Sequence, residues 1–306
     1  MTDRTQDTPG ATAAGGDKQA LVDELLALMT LEPLEVNLFR GESRDIGTPR
    51  VFGGQVLAQA LLAASRTVED RAVHSLHAYF LRAGDPDAPI VYSVDRSRDG
   101  RSFTARRVVA IQHGRQIFTL AASFQVPQEG VTHQFPMPHV PAPETLTSER
   151  ELNREQWAKA PPKLRRWFNR FGPFEFRPVK MPDPANPQPM EPRQQVWFRL
   201  CGELQGDQSL HRTLLAYVSD FHLVGTATLP HALAIHKGNV LLASLDHAMW
   251  FHRDVRVDDW LLYACDSPNS GGSRGLARGL IYDRAGRLVA STAQEGMMRV
   301  MEPDTD

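Results

Sequence analysis

Cysteine is scarce in this chain of 306 residues: Cys201 and Cys265 are the only two. They make no CxxC pair and no disulfide framework, which excludes a stapled secreted scaffold and fits reduced thiols in a cytosolic protein. An excess of one charge is missing too, since 34 basic and 36 acidic side chains leave a formal charge of −2. That excludes a nucleic acid or other polyanion as the main partner, although a local basic patch could still receive a phosphate. No apolar run approaches the ~18 residues of a membrane span. The eleven histidines are scattered, with no HxH or HExxH, so no metal site is expected. The first residues, MTDRTQDTPGATAAGGD, lack the apolar core of a secretory signal and are small and polar. Residues 1–17 are expected to be a disordered tail. The last, MEPDTD, do not form the peroxisomal tripeptide, and the cytoplasm is the expected location.

What is present is a pattern that occurs twice. VFGGQVLAQALLAASRTV, Val51 to Val68, has helical apolar spacing with small residues on nearly every side. Such a helix suits a place where other backbone crowds closely. Strand-like segments follow it through HAYFLR, IVYSVDRSRDG, RRVVAIQHG and RQIFTLAASFQV, with DG and HG marking turns. After a proline-rich stretch, DQSLHRTLLAYVSDFHLV, Asp207 to Val224, is again helical, with Leu214, Leu215, Val218 and Phe221 as its apolar face. Strands again follow, and HAMWFHR, LLYACDSPNSGGS and AGRLVASTAQE match their earlier counterparts at an offset of about 171 residues. The organisation expected is an N-terminal repeat over 18–126, a connector over 127–192 and a C-terminal repeat over 193–306. One short helix is expected in the connector, around Glu149 to Ala158. Each repeat has the size of a hot-dog unit, in which a curved antiparallel sheet wraps one long helix. Two such repeats of helix and antiparallel strands are expected to make an α+β fold.

VFGGQVLAQAL, HSLHAYFLRAGD, AYVSDFHLV, LDHAMWFHR and VASTAQEGMMR, in that order, closely resemble the acyl-CoA thioesterase II family. The resemblance runs from about Leu31 to Arg299 and is weakest in the connector. It implies an α+β double hot-dog fold, hydrolysis of acyl-CoA to fatty acid and free CoA without a cofactor, and association into homodimers or homotetramers. Carried over residue by residue, it implies a catalytic group of Asp220, Ser244 and Gln294. The family often has threonine at the second position; serine keeps the hydroxyl and loses a methyl group.

Thioester hydrolysis needs a positioned water, an acceptor for its proton and donors for the oxyanion. An aspartate is a weak base at its ordinary pKa near ~4, and burial would strengthen it. A hydroxyl and an amide can orient a water or polarise a carbonyl without neutralising that aspartate. Residue types alone leave open whether Asp220 activates water or attacks directly through an anhydride; water attack is preferred. The first repeat offers no matching carboxylate, so the halves are expected to be unequal. Gly53 and Gly54 are candidate substrate-binding positions, because glycines at a helix start let a ligand approach free N–H groups. Close packing of that helix accounts for them equally well. Arg274 and Arg278 are candidates for the CoA phosphates, as are Arg101 and Arg106.

Other motifs lead elsewhere. GGSRG matches the serine-hydrolase elbow, but strand, not helix, follows it. HRD at His252 to Asp254 lacks the remainder of a kinase loop. SLDHAMWFHRD reads as a strand with Leu245, His247, Met249 and Phe251 on one face and Asp246, Ala248, Trp250 and His252 on the other, so its histidines cannot chelate one ion. Two competing functions remain: a hot-dog hydratase or dehydratase, which pairs Asp with His, and a non-catalytic acyl-CoA binding protein.

Overall fold

The computed structural model describes residues 13–45, 50–152, 172–180, 186–234 and 238–301, the side chains of 13–17 excepted. The elements of the first half are α1 (Ala13–Leu28), β1 (Glu32–Glu35), β2 (Leu38–Gly41), α2 (Gly53–Ser65), β3 (Ala72–Phe80), β4 (Ile90–Asp99), β5 (Phe103–Gln112) and β6 (Arg115–Gln125). After α3 (Glu149–Leu152) come β7 (Phe174–Pro178), β8 (Arg193–Leu200), α4 (Gln208–Ser219), β9 (Val240–Ser244), β10 (Asp246–Phe251), β11 (Leu261–Gly271), β12 (Arg274–Asp283) and β13 (Leu288–Val300). The strands form one antiparallel sheet in the order β1-β2-β4-β5-β6-β3-β10-β13-β12-β11-β8-β7, with β9 paired to β13. Its two halves mirror each other about the β3–β10 pair, and each wraps one helix. This is the double hot-dog architecture.

The duplication is written into the irregularities of the sheet. The β4–β5 register slips between Asp95 and Arg98, and β11–β12 slips between Asp266 and Asn269. The β5–β6 slip at Ala110/Ile111 recurs in β12–β13 at Ile281/Tyr282. A bulge bends a strand, so bulges at matching positions give both halves the same curl. Tyr92 and Tyr263 also correspond, and each ties its sheet to a core helix. Tyr92 donates to Gln59 Oε1 at 2.7 Å, and Tyr263 donates to the Ser219 carbonyl at 3.0 Å.

Inside the sheet, α2 and α4 lie against each other with the start of α2 beside the end of α4. Ala58, Ala60, Ala63 and Ala64 of α2 are fully buried. A methyl group on Gly54 would sit 2.3 Å from the Tyr217 carbonyl oxygen, so only a hydrogen fits there. The crowding anticipated around this helix comes from a second helix as well as from the sheet.

Several boundaries differ from expectation. α1 begins at Ala13, inside the stretch expected to be a tail; residues 1–12 lie outside the described residues. α4 ends at Ser219 rather than running to Val224, since His222 adopts φ 63° and the chain turns into a 3₁₀ segment, Val224–His231. α3 spans Glu149–Leu152, and the rest of the expected helix to Ala158 lies outside the described residues. β7 falls inside the expected connector and pairs with β8 at the sheet edge. The connector before it crosses the outer face of the second half. Trp197 donates to the Pro141 carbonyl at 2.9 Å, and Met137, Val140 and Leu146 pack on Trp197, Trp260, Leu262 and Tyr282. GGSRG is a hairpin: Gly272 and Ser273, at φ 56° and 59°, turn β11 into β12.

Gly54→Ala is expected to cost about 1–3 kcal/mol in urea unfolding, the range for overpacking a tight core. Gly130→Ala, where a methyl meets open space, should change little.

Candidate active site

Where the end of α4 meets the start of α2, three polar side chains from the second half converge. Gln294 of β13 is fully buried and spends both amide hydrogens here. Its Nε2 donates to Asp220 Oδ1 at 2.7 Å and to Ser244 Oγ at 3.0 Å. Asp220 is the C-cap of α4, not a residue within it, and its side chain is 6 % exposed. Its other oxygen faces α2: a methyl on Gly53 would lie 2.8 Å from Asp220 Oδ2 and 3.0 Å from the Phe80 ring. The absent Cβ at Gly53 makes room for the carboxylate, and that at Gly54 makes room for Tyr217.

The electrostatics of this position are opposed. At the end of α4 a carboxylate meets the negative end of a helix dipole, and at the start of α2 it meets a positive one. The other pair of helix ends is arranged conventionally. α2 finishes on Arg66, whose Nη1 donates to the Leu31 carbonyl at 2.6 Å. α4 begins with Asp207, whose own carboxylate accepts from Leu210 N at 3.0 Å. Phe52 precedes α2 and supplies no side-chain cap. The first-turn N–H groups of α2 therefore point toward the Asp220 side without a capping side chain of their own.

Ser244 reaches Gln294 only because the strand breaks. A continuous strand would turn Ser244 to the same face as Asp246, away from Gln294. Pairing with β13 runs Ala248↔Ala293 in β10 but Gly296↔Ser244 in β9, so one extra residue sits at Leu245 and inverts the alternation. Asp246 holds this bulge, its Oδ1 accepting the Glu295 N–H at 2.7 Å. Burial pushes the Asp246 carboxyl above the ordinary aspartate range, against the Glu295 N–H and assisted by the Glu295 charge. Nothing in the composition of SLDHAMWFHRD signals the bulge.

His247 lies beside this group, on the inner face of β10 where strand alternation puts it. It is fully buried, with Nε2 3.0 Å from Ser219 Oγ and Nδ1 3.9 Å from Asp220 Oδ1. Burial lowers its pKa, opposed by the Asp220 charge, and keeps the ring neutral. Its apparent partner by eye, His77 in HAYFLR, is on the exposed outer face of β3. The position matching His247 on the inner face is Leu76, and the pairing Leu76↔Met249 beside Ala78↔His247 shows the one-residue slip.

The arginines do not join this group. Arg274 and Arg278 lie on the outer face of β12, opposite to Gln294, in exposed ion pairs with Glu295 and Asp266 at 2.9 Å. Strand alternation puts them there, because Gly275, Ala277 and Gly279 take the inner positions. Arg106 is buried, binding Thr67, the Arg98 and Ala105 carbonyls and Asp99. Arg101 lies exposed in the turn between β4 and β5. Among the described residues no three His, Cys, Asp or Glu side chains are placed to hold a metal ion.

Comparison with known proteins follows the same two halves. Residues 40–125 match the model of the acyl-CoA thioesterase N-terminal domain, and residues 168–297 match that of acyl-CoA thioesterase. The chain is 44% identical to human acyl-coenzyme A thioesterase 8 over 93% of its own length and 91% of the relative's. It is 43% identical to acyl-CoA thioesterase 2 of Haemophilus influenzae over 92% of this chain and 99% of that one. The crystal structure of an acyl-CoA thioesterase II from Mycobacterium marinum superposes with a TM-score of 0.74 at 41% identity, covering 90% of this chain and 98% of that chain. A hot-dog protein from Alicyclobacillus acidocaldarius, 19% identical, shares the fold with a TM-score of 0.73 over 90% of this chain and 98% of that one.

Asp246→Ala leaves the Glu295 N–H at the bulge without its acceptor, and should lower stability by about 1–3 kcal/mol. Asp246→Asn keeps a carbonyl acceptor and is expected to lose less; urea denaturation of both variants compares them.

Proposed function

The chain belongs to the acyl-CoA thioesterase family, and from that premise we propose how this enzyme hydrolyses fatty acyl-CoA to a fatty acid and free CoA. Asp220 is the base. Its Oδ2 takes a proton from a water as that water attacks the thioester carbonyl, and the carbon–sulfur bond then breaks to release the CoA thiolate. Asp220 then gives that proton to the thiolate, which departs as the thiol, or loses it to solvent, and the carboxylate is restored. Gln294 fixes the carboxylate through Oδ1, so Oδ2 is the oxygen directed at the start of α2. General-base assistance of this kind contributes about 10²–10⁴ in rate.

The observation that carries this reading is the double donation by Gln294. Because Ser244 Oγ accepts from the amide, its own hydrogen is directed elsewhere, toward the water or the thioester oxygen. An amide cannot take a proton from a hydroxyl at neutral pH, so Ser244 has no base at its side and acts by orienting. The first-turn N–H groups at Gly53 and Gly54 are the proposed donors to the oxyanion, helped by the positive end of the α2 dipole. The two halves contribute differently: α2 provides dipole and donors, the second half provides the base and its supports.

A hydratase or dehydratase needs an imidazole that touches its substrate. His247 is fully buried behind Asp220, and His222 packs 4.8 Å from Phe176, so neither supplies one. Association into a homodimer or homotetramer belongs to the same proposal. It is supported by Tyr79 and Trp250, exposed on the outer face of the central strands at 61% and 36%.

Thiol release from a panel of acyl-CoAs, short to long, tests the reading with wild type beside Asp220→Asn. The expected result is turnover by the wild type and at least about a hundredfold less in the variant. Turnover unchanged in Asp220→Asn would remove Asp220 from the mechanism; tight acyl-CoA binding without turnover would leave a binding protein.

A further inference from the structure

Phe80 stands where α2 begins, and the reaction described above gives it no part. It ends β3 on the inner face, and its backbone N–H donates to the Leu245 carbonyl at 2.9 Å. Leu245 is the extra residue of the bulge that delivers Ser244, so one irregularity of the sheet helps to place both side chains. The point where a methyl on Gly53 would sit lies 2.8 Å from Asp220 Oδ2 and 3.0 and 3.1 Å from Phe80 Cε1 and Cζ. Unbonded carbons rest at about 3.5–4.0 Å. The carboxylate oxygen and the ring edge therefore border one space that is too small for a methyl group.

The reaction brings substrate to that edge. An attacking water within about 2.6–3.2 Å of Oδ2, and an oxyanion about 2.7–3.1 Å from the Gly53 and Gly54 N–H groups, confine the reacting carbon to this corner. Its two other substituents are the sulfur and the first carbon of the acyl chain. Phe80 pairs with Phe118 across β3 and β6, with ring centroids 5.1 Å apart, and Phe118 is 1% exposed. The aromatic surface thus leads inward, which suits a hydrocarbon chain. The amides of the CoA arm need polar partners, and its phosphates need solvent or cations.

We propose that Phe80 is a specificity-determining residue: its ring abuts the carbon next to the thioester carbonyl and selects straight acyl chains over chains branched at that carbon. A methyl group on that carbon has no room against the ring, whereas one near the far end of the chain never meets it. The second half provides a comparison. By the offset that matches Leu76 to His247, Phe80 corresponds to Phe251. Phe251 is closed into the core at 6% exposure, while Phe80 is half-buried. Of the two, only the phenylalanine beside Asp220 stays partly open.

This role of Phe80 rests on Asp220 as the base, and one set of measurements separates the two. kcat/KM is measured for wild type, Phe80→Ala, Phe80→Leu and Asp220→Asn on three CoA thioesters of one chain length. The acyl groups are straight, 2-methyl and methylated at the penultimate carbon. Hexanoyl or palmitoyl sets the length, whichever the wild type turns over faster. The wild type is expected to take the 2-methyl chain at least about tenfold more slowly than the straight one, the usual discrimination for a methyl group without room. Phe80→Ala should raise the 2-methyl to straight ratio at least about fivefold and leave the penultimate-methyl ratio as it was. Loosened packing alone lowers all three rates together and leaves both ratios in place. A 2-methyl ratio in Phe80→Ala equal to that of wild type, with Asp220→Asn inactive, overturns the role of Phe80 and keeps the base. So does a wild type that takes the 2-methyl chain as fast as the straight one. Full turnover in Asp220→Asn, or none of any thioester by the wild type, removes the base and the role of Phe80 with it. Should Phe80→Ala fail to fold, Phe80→Leu reads the same ratio, since it keeps an apolar side chain and loses the outer part of the ring.

Discussion

Everything in this molecule depends on how closely two antiparallel helices approach. At Gly54 the backbone of α2 meets the Tyr217 carbonyl with no room for a methyl group. That contact brings the end of one helix to the start of the other. It places a carboxylate from the second half against the dipole of the first, an arrangement neither half can build alone. The alanines of α2 serve the same end, because a helix gripped by a sheet and by a second helix has no space for larger side chains. Asp220 sits where the two helices meet. Its place at the end of α4 is electrostatically unfavourable within its own helix, and is made tolerable by Gln294 and the start of α2.

Around that contact the structure is a chain of supports, each with a physical reason. The bulge at Leu245 inverts the alternation of a strand so that a serine meets a glutamine. Asp246 occupies the N–H that the bulge leaves over. Tyr263 and His247 tie the end of α4 to the sheet behind it, both through Ser219. Through these supports Gln294 is held with its amide on Asp220 Oδ1, and Oδ2 is left facing the start of α2.

Much of this was legible in the sequence, and the illegible part is instructive. The duplication was readable, because both halves obey the same turns and the same alternation; the structure repeats even the bulges at the offset of 171 residues. Asp220, Ser244 and Gln294 are singled out in the sequence only through the family resemblance, and the fold brings the three side chains together. The end of α4 was misplaced because SDFHLV continues the apolar spacing and contains no glycine or proline. The stop is a left-handed His222, which costs energy locally and has no signature. β8 was missed since RQQVWFRL lacks clean alternation, both its faces being covered, one by the helices and the other by the connector. Arg274 and Arg278 were chosen by type, while their face depended on a register that pairing alone decides. His247 was placed on the inner face correctly, but its neighbour Asp220 is 27 positions away and meets it only in three dimensions.

The unequal helix ends also bear on how such a chain can change over generations. The end of α2 and the start of α4 carry Arg66 and Asp207, each with the charge that its own helix end favours. Asp220 sits against the preference of its own helix, so a replacement that relieved the tension would make a sturdier protein and, on the mechanism proposed above, a poorer catalyst. Duplication permits this division of labour. A pair of identical subunits must keep both copies of a helix end the same, whereas a fused pair can leave one at ease and the other under strain.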